Sequence, residues 1–210
     1  MIWKFKMQKM RPLKVLVACE YSGVVRDAFL KAGHDAMSCD MLPTDAPGPH
    51  YQGNVWDILD ENGGGYHLVI AHPPCTFLCN SGVRWLWNKD GTPNEERWQN
   101  MVEAAHFFKR FLNLKCAVAV ENPIMHRYAL EIIGRKASQF VQPWQFGHGE
   151  TKATGLWLNG LPLLIPTKIV SGRQQRVWKL PPGPERWKER SKTYQGIADA
   201  MADQWGLLPF

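Results

Sequence analysis

Lys14 to His34 reads KVLVACEYSGVVRDAFLKAGH, and this stretch decides the fold. Lys14–Cys19 is a β-branched apolar run, the pattern of a strand buried on both faces. Glu20–Gly23 is a turn, Val24–Ala32 has helical spacing, and Gly33 ends the helix. Working outward, His34–Asp40 predicts a second strand ending in an acid. Pro43, Pro47, Gly48 and Pro49 mark a loop. Asp57–Glu61 suggests a short helix, broken by Gly63–Gly65, and Tyr66–Ala71 (YHLVIA) a further strand. His72–Gly91 reads as a long loop. Pro93–Leu112 has Pro near its start, Glu95 and Glu96 early, and Lys109 and Arg110 late, the charge order a helix dipole favours. Lys115–Glu121 (KCAVAVE) predicts a strand, Met125–Ile133 a helix, Ser138–Gln142 and Leu156–Leu158 later strands, and Tyr194–Trp205 a closing helix. Strands alternating with helices predict an α/β fold, a mostly parallel sheet with helices on both faces. Ligands then bind at the carboxyl ends of the strands. One rim therefore carries the Cys19–Gly23 turn, Asp40, the Pro73–Pro74–Cys75 loop and Glu121–Asn122–Pro123.

The 210 residues suffice for one sizeable core, and 45% hydrophobic with 21% charged residues is ordinary for a globular domain. We read residues 1–13 as an N-terminal extension and 14–210 as a single domain. No apolar run reaches the roughly 18 residues that span a bilayer, and Met1–Arg11 lacks a signal-peptide pattern. Five cysteines (19, 39, 75, 79 and 116) without a disulfide frame suit a reducing, cytoplasmic compartment. The net charge of +6 is uneven. Ser171–Lys192 holds seven basic residues against two acids, with Trp178 and Trp187 interleaved. Such a segment suits phosphate and base contacts. It equally suits a solvated loop whose aromatics pack on the core.

Ala71–Cys79 reads AHPPCTFLC. A cysteine just past a strand, behind two prolines, sits on a stiff loop where it can act as a nucleophile. Glu121–Asn122–Pro123 follows the next strand, and a carboxyl beside a cysteine can grip a heterocycle's ring nitrogen and exocyclic amine. Together these motifs resemble the cytosine-C5 methyltransferase family, which carries a Pro-Pro-Cys loop after one strand and Glu-Asn after the next. The resemblance spans nearly the whole chain. It implies a Rossmann-like fold and S-adenosylmethionine as methyl donor. It makes Cys75 the nucleophile at cytosine C6 and Glu121 the group that activates the ring at N3. Pro74, Asn122, Pro123, Lys152 and Thr154 are the expected substrate-side residues. Cys19, Glu20, Tyr21, Ser22 and Gly23 resemble the cofactor loop, with Pro73 beside it. Asp40 and Met41 fall where the family contacts the ribose, and Asp57 and Ile58, in NVWDI, where it contacts the adenine. Ser191–Ala198 (SKTYQGIA) resembles the family's last motif, which returns to the cofactor pocket.

The chain departs from the family in several places. Glu20 and Ser22 stand at expected glycines, a carboxylate that would either repel the cofactor's own or meet its ammonium. The Arg-x-Arg pair is not evident; Lys152 and Thr154, in Glu150–Gly155, occupy that region. The last motif lacks its asparagine. Only about 35 residues separate Gly155 from Arg190, too few for the family's recognition domain. The substrate is therefore expected to be DNA, read with little sequence or through a partner, or else a free cytosine nucleotide such as dCMP; a membrane partner is not expected, and a homo-oligomer is left open. A minimal form of this size suits a phage-like protein.

Rival readings fare worse. A zinc deaminase needs His-x-Glu and then Pro-Cys-x-x-Cys. His148–Gly149–Glu150 fits the first, but Pro74–Cys75–Thr76–Phe77–Leu78–Cys79 has the wrong spacing and lies upstream. A structural zinc on His72, Cys75 and Cys79 lacks the tight four-ligand spacing such sites use, so no metal is expected. A non-catalytic nucleic-acid-binding protein would have no need to keep both Cys75 and Glu121. His106 and His126 read as surface or packing residues, and Trp85 and Trp87 as candidates for stacking on a base. The loop Thr76–Gly91 is expected to close over the substrate.

Overall fold

A computed structural model describes residues 11–209; most of the expected N-terminal extension lies outside them. Seven strands form one sheet: β1 (Lys14–Ala18), β2 (Asp35–Asp40), β3 (His50–Gln52), β4 (Leu68–Ala71), β5 (Ala117–Pro123), β6 (Gln139–Val141) and β7 (Thr154–Asn159). Their order is β3-β2-β1-β4-β5-β7-β6. β7 runs antiparallel to both its neighbours, and every other pairing is parallel. The helices are α1 (Val24–Lys31), α2 (Glu95–Leu112), α3 (Arg127–Ile133), α4 (Arg176–Lys179), α5 (Arg186–Ser191) and α6 (Gln195–Trp205). This strand order, with a lone reversed strand beside the edge, is a Rossmann-like α/β fold.

Side-chain alternation explains the two-sided core. Val15 and Val17 of β1, Leu68 and Ile70 of β4, and Leu156 and Leu158 of β7 face α1 and α6. Leu16 and Ala18, Val69 and Ala71, and Trp157 face α2 and α3. Central strands covered on both faces must be apolar throughout, which is why they are visible as continuous runs in the sequence.

Local chemistry sets the helix starts. Asn94 accepts the Arg97 N–H and caps α2, and His126 Nδ1 accepts that of Ala129 and caps α3. His126 is thus a buried cap rather than a surface residue. Gly23 precedes α1 at φ 74° and offers no side chain. Glu20 substitutes for it, accepting the N–H groups of Val25 (2.8 Å) and Arg26 (3.2 Å).

Four sequence expectations are corrected. The short helix expected at Asp57–Glu61 is a 3-10 turn at Val55–Asp57, started by the Asn54 side chain. β3 was not expected. β5 runs past Glu121 to Pro123 because β7 pairs with it in the register Glu121↔Leu156 and Pro123↔Thr154. Glu121–Asn122–Pro123 therefore belongs to the sheet and not to a loop beyond it. Within His72–Gly91, Asn80–Leu86 forms 3-10 turns around the buried Leu78 and Leu86.

Candidate functional site

The strand ends converge as the fold demands. One cleft is lined by Cys19, Glu20, Tyr21 and Ser22 from the turn after β1. Across it lie His72, Pro73, Pro74 and Cys75 after β4, then Glu121, Asn122 and Pro123 at the end of β5, and Lys152 just before β7. Arg190 to Thr193 close the remaining side. Asn122 is fully buried and donates Nδ2–H to the Pro73 carbonyl at 3.1 Å, tying the cysteine loop to β5.

Other expected site residues lie outside this cleft. Gly23 sits behind the turn at the head of α1. Thr154 is buried in β7, its hydroxyl on the Lys152 carbonyl. Asp40 ends β2 and accepts the Leu42 N–H, and Met41 beside it is exposed. Asp57 accepts the Tyr51 hydroxyl at 3.2 Å, and Ile58 packs behind the sheet with the α2 side of the core. Asp40 and Asp57 both act on the charge of Cys39, so they share a neighbourhood along the rim without entering the cleft.

Electrostatics sorts the cysteines. Burial drives the Cys19 thiol far up. Cys39 is pushed up to about 11, by burial and then by Asp40 and Asp57. Cys75 and Cys79 behave as a pair: the Cys79 N–H donates to the Cys75 carbonyl (3.0 Å), one turn that sets thiol against thiol. The hydrogen bond from Cys75 lowers Cys79 to about 5, against burial and with help from the Ser81 hydroxyl at 3.0 Å and the N–H groups of Ser81 and Gly82. The same hydrogen bond, then burial and the negative neighbours Cys79 and Glu121, raises Cys75. The two thiols therefore titrate together, with one negative charge shared over the pair.

Glu121 is nearly enclosed. Burial pushes its carboxyl up, but the hydrogen bond with His72 and the charge of Lys152 outweigh it, and it titrates below the usual carboxylate range. His72 Nδ1 lies 3.3 Å from Glu121 Oε2. Lys152 is lowered, by burial against the opposing pull of Glu121 and Cys75. Its Nζ donates to the Lys192 carbonyl at 3.0 Å.

The sequence pointed to His72 only as a metal ligand and gave no place in the cleft wall to Arg190, whereas Ser191, Lys192 and Thr193 line the cleft as the last motif's resemblance implies. The position of His72, directly ahead of Pro-Pro-Cys at a strand end, was the available signal. Among the described residues no three His, Cys, Asp or Glu side chains converge to hold a metal ion, and no helix is long and apolar enough to cross a membrane.

The basic segment is neither a free loop nor wholly solvated. α5 docks on the β1 turn: the Tyr21 hydroxyl bonds the Lys188 carbonyl (2.9 Å) and Ser191 Oγ (3.0 Å), and its ring lies 5.7 Å from that of Trp187. Lys192 pairs with Asp45 at 3.4 Å. Trp178 remains 70% exposed. The two tryptophans expected to stack on a base differ. Trp87 is committed to a cluster with Trp98 and Tyr128 (5.6 and 5.4 Å), whereas Trp85 is exposed and stacked under Arg84. The loop expected to close is already anchored. Arg97 donates to the Thr76 carbonyl (2.8 Å), and His126 Nε2 lies 2.9 Å from that of Phe77.

Glu20 does not face the cleft as a free charge, because its carboxylate is engaged with the head of α1. Glu20→Ala is expected to cost about 1–2 kcal/mol of stability, the size of a lost helix cap. Glu20→Gln, which keeps one acceptor oxygen, should cost about half as much. Thermal melts of the two variants check this; an unchanged melting temperature for Glu20→Ala would exclude the capping role.

No family model matches the chain, and no curated protein matches it. Among solved structures, a mutant of Spodoptera frugiperda DNMT2 is similar at 14% identity and a TM-score of 0.32, over 78% of this chain and 55% of that one. The chain thus spans about half the length of that protein. The sheet order, not this distant likeness, defines the fold.

Proposed function

We propose that the chain is an S-adenosylmethionine-dependent methyltransferase acting at C5 of cytosine, with Cys75 as the covalent nucleophile. One observation carries the reading. A single cleft at the strand ends joins a cysteine loop, an ionised buried carboxylate and a lysine to the turn after β1. Packing alone does not require three polar groups to meet there.

The residues present fit the cofactor. The Glu20 carboxylate accepts the N–H groups of Val25 and Arg26, so it is committed to the head of α1 and does not stand free before the cofactor's carboxylate. Asp40 is raised, chiefly by burial, and has no salt-bridge partner among the described residues, which leaves it an acceptor suited to ribose hydroxyls. S-adenosylmethionine would supply an electrophilic methyl on its sulfonium. The turn Cys19–Ser22 would hold its methionine part, Asp40 its ribose and Asp57 its adenine.

The chain's own groups do the rest. Cys75 passes its proton to Cys79 and adds through Sγ to C6 of the ring. Electrons from the C5–C6 double bond move toward N3, which takes up a proton by way of Glu121, and C5 becomes enamine-like and able to take the methyl. Transfer of the C5 proton to solvent water and expulsion of the Cys75 thiolate restore the ring. Stabilisation of the kind given by Glu121 is often worth about 3 kcal/mol.

DNA is the proposed substrate, supported by the basic segment with its exposed Trp178 and by the Arg84–Trp85 stack. A free nucleotide is the second reading. It is favoured by Arg190 in the cleft wall, which puts a cation for a phosphate at the cleft itself. The test is transfer of labelled methyl to duplex DNA, single-stranded DNA and dCMP in parallel. We expect label in DNA. Label confined to dCMP would move the activity to nucleotides, and no label with no cofactor binding would remove the enzyme reading.

A further inference from the structure

Glu121 meets the ring without a proton of its own. Its carboxyl is held ionised by His72 and Lys152, and an ionised carboxylate can accept a cytosine's exocyclic amine but cannot protonate N3. A neighbour must hold the proton. Cys75 is the nucleophile, and its proton goes to Cys79. Lys152 acts on Glu121 through charge, with its Nζ hydrogen-bonded to the Lys192 carbonyl. His72 alone places a ring nitrogen against the carboxylate, Nδ1 to Oε2 at 3.3 Å.

His72 is built into this position. It is the first residue past β4, its N–H donates to the Ala18 carbonyl at 2.9 Å, and Pro73 and Pro74 stiffen the chain after it. Its side chain is 9% exposed, and Nε2 is buried without a partner. Burying an unsatisfied ring nitrogen costs stability, so packing alone does not account for a histidine here. The charged and titratable groups around it are Glu121 on β5, Lys152 ahead of β7, Asp40 at the end of β2, and Cys19, Glu20 and Cys75 along the cleft.

We propose that His72 is a positioning residue that holds at Nδ1 the proton which Glu121 passes to N3 of the target ring. The inference rests on the methyltransferase reading. The relay requires the pair to start as an imidazolium beside a carboxylate. As Sγ of Cys75 bonds to C6, the proton crosses from Nδ1 to Oε2 and on to N3, leaving a neutral imidazole. When the adduct collapses, the proton returns the same way, so none is consumed.

Two measurements test it. Nitrogen-15 NMR of histidine-labelled protein, with no substrate present, is expected to show both ring nitrogens of His72 carrying a proton at pH 7. A ring with either nitrogen bare at pH 7 would overturn the proposal. The second is tritium release from C5-tritiated cytosine, in DNA and in dCMP, which reports addition at C6. His72→Asn keeps an N–H donor toward Glu121 but cannot surrender its proton. Its kcat for release is expected to fall about 100-fold, with KM within about twofold. Wild-type release by His72→Asn would reduce His72 to an orienting group and sink the idea. If the wild-type protein releases no tritium from any substrate, the methyltransferase reading falls and the ring with it as acceptor. The NMR result then still decides whether His72 holds the proton.

Discussion

Cys75→Ala is expected to abolish methyl transfer while leaving the fold intact. The substitution deletes one sulfur from a partly exposed loop residue, and the loop keeps its backbone ties through Asn122 and Pro73. Removing a covalent nucleophile typically lowers kcat by on the order of 10⁵–10⁶, which would read as no label. Cys79→Ser should be milder, about 10- to 100-fold, because it removes the acceptor of the Cys75 proton and not the nucleophile. Label transfer and mass spectrometry of a trapped adduct on a 5-fluorocytosine substrate check both. Adduct formation by Cys75→Ala, or a Cys79→Ser enzyme as dead as Cys75→Ala, would contradict the assigned roles.

Gly196→Ala is expected to be the most damaging small substitution for stability. Gly196 lies in the first turn of α6, and a Cβ there would collide with the carbonyl oxygen of Phe146. The obstacle is backbone and cannot swing aside. The contact is also locked: the Gly196 N–H donates to His148 Nε2 at 3.1 Å, and the Tyr194 hydroxyl donates to Glu150 at 2.6 Å. Shifting α6 would lift Ile197, Met201 and Trp205 from the core. A loss of about 3 kcal/mol or more follows, or roughly 6–12 °C in melting temperature for a chain of this length. Gly183→Ala, where a Cβ meets nothing within 4 Å, is the control and should stay within about 0.5 kcal/mol. Equal melting temperatures for the two variants would refute the steric account.

The comparison also explains why SKTYQGIA could be read as a motif. Its glycine is required by a backbone contact with the turn carrying His148 and Glu150, about fifty residues upstream. The central strands were readable because burial on two faces leaves no room for polar residues. β3 was not, because His50, Tyr51 and Gln52 have no apolar pattern and take strand form through pairing with β2. α4 and α5 were hidden for a similar reason: they are short, flanked by prolines, and held by contacts such as Tyr21 on Ser191. Within the site, Pro-Pro-Cys and Glu-Asn were visible as residues. The cap made by Glu20 and the approach of His72 to Glu121 were not, since both join positions whose proximity is set by the turn after β1 and the β4–β5 pairing.

The reversed strand β7 has a consequence for the evolution of the chain. Lys152 stands two residues ahead of Thr154, whose pairing with Pro123 fixes how far the ammonium lies from Glu121. Strand side chains alternate, so a slip of one residue would move Lys152 by about 3.4 Å and turn Trp157 to the opposite face. A single-codon insertion or deletion between Lys152 and Asn159 would therefore separate the two charges while every catalytic side chain remained encoded.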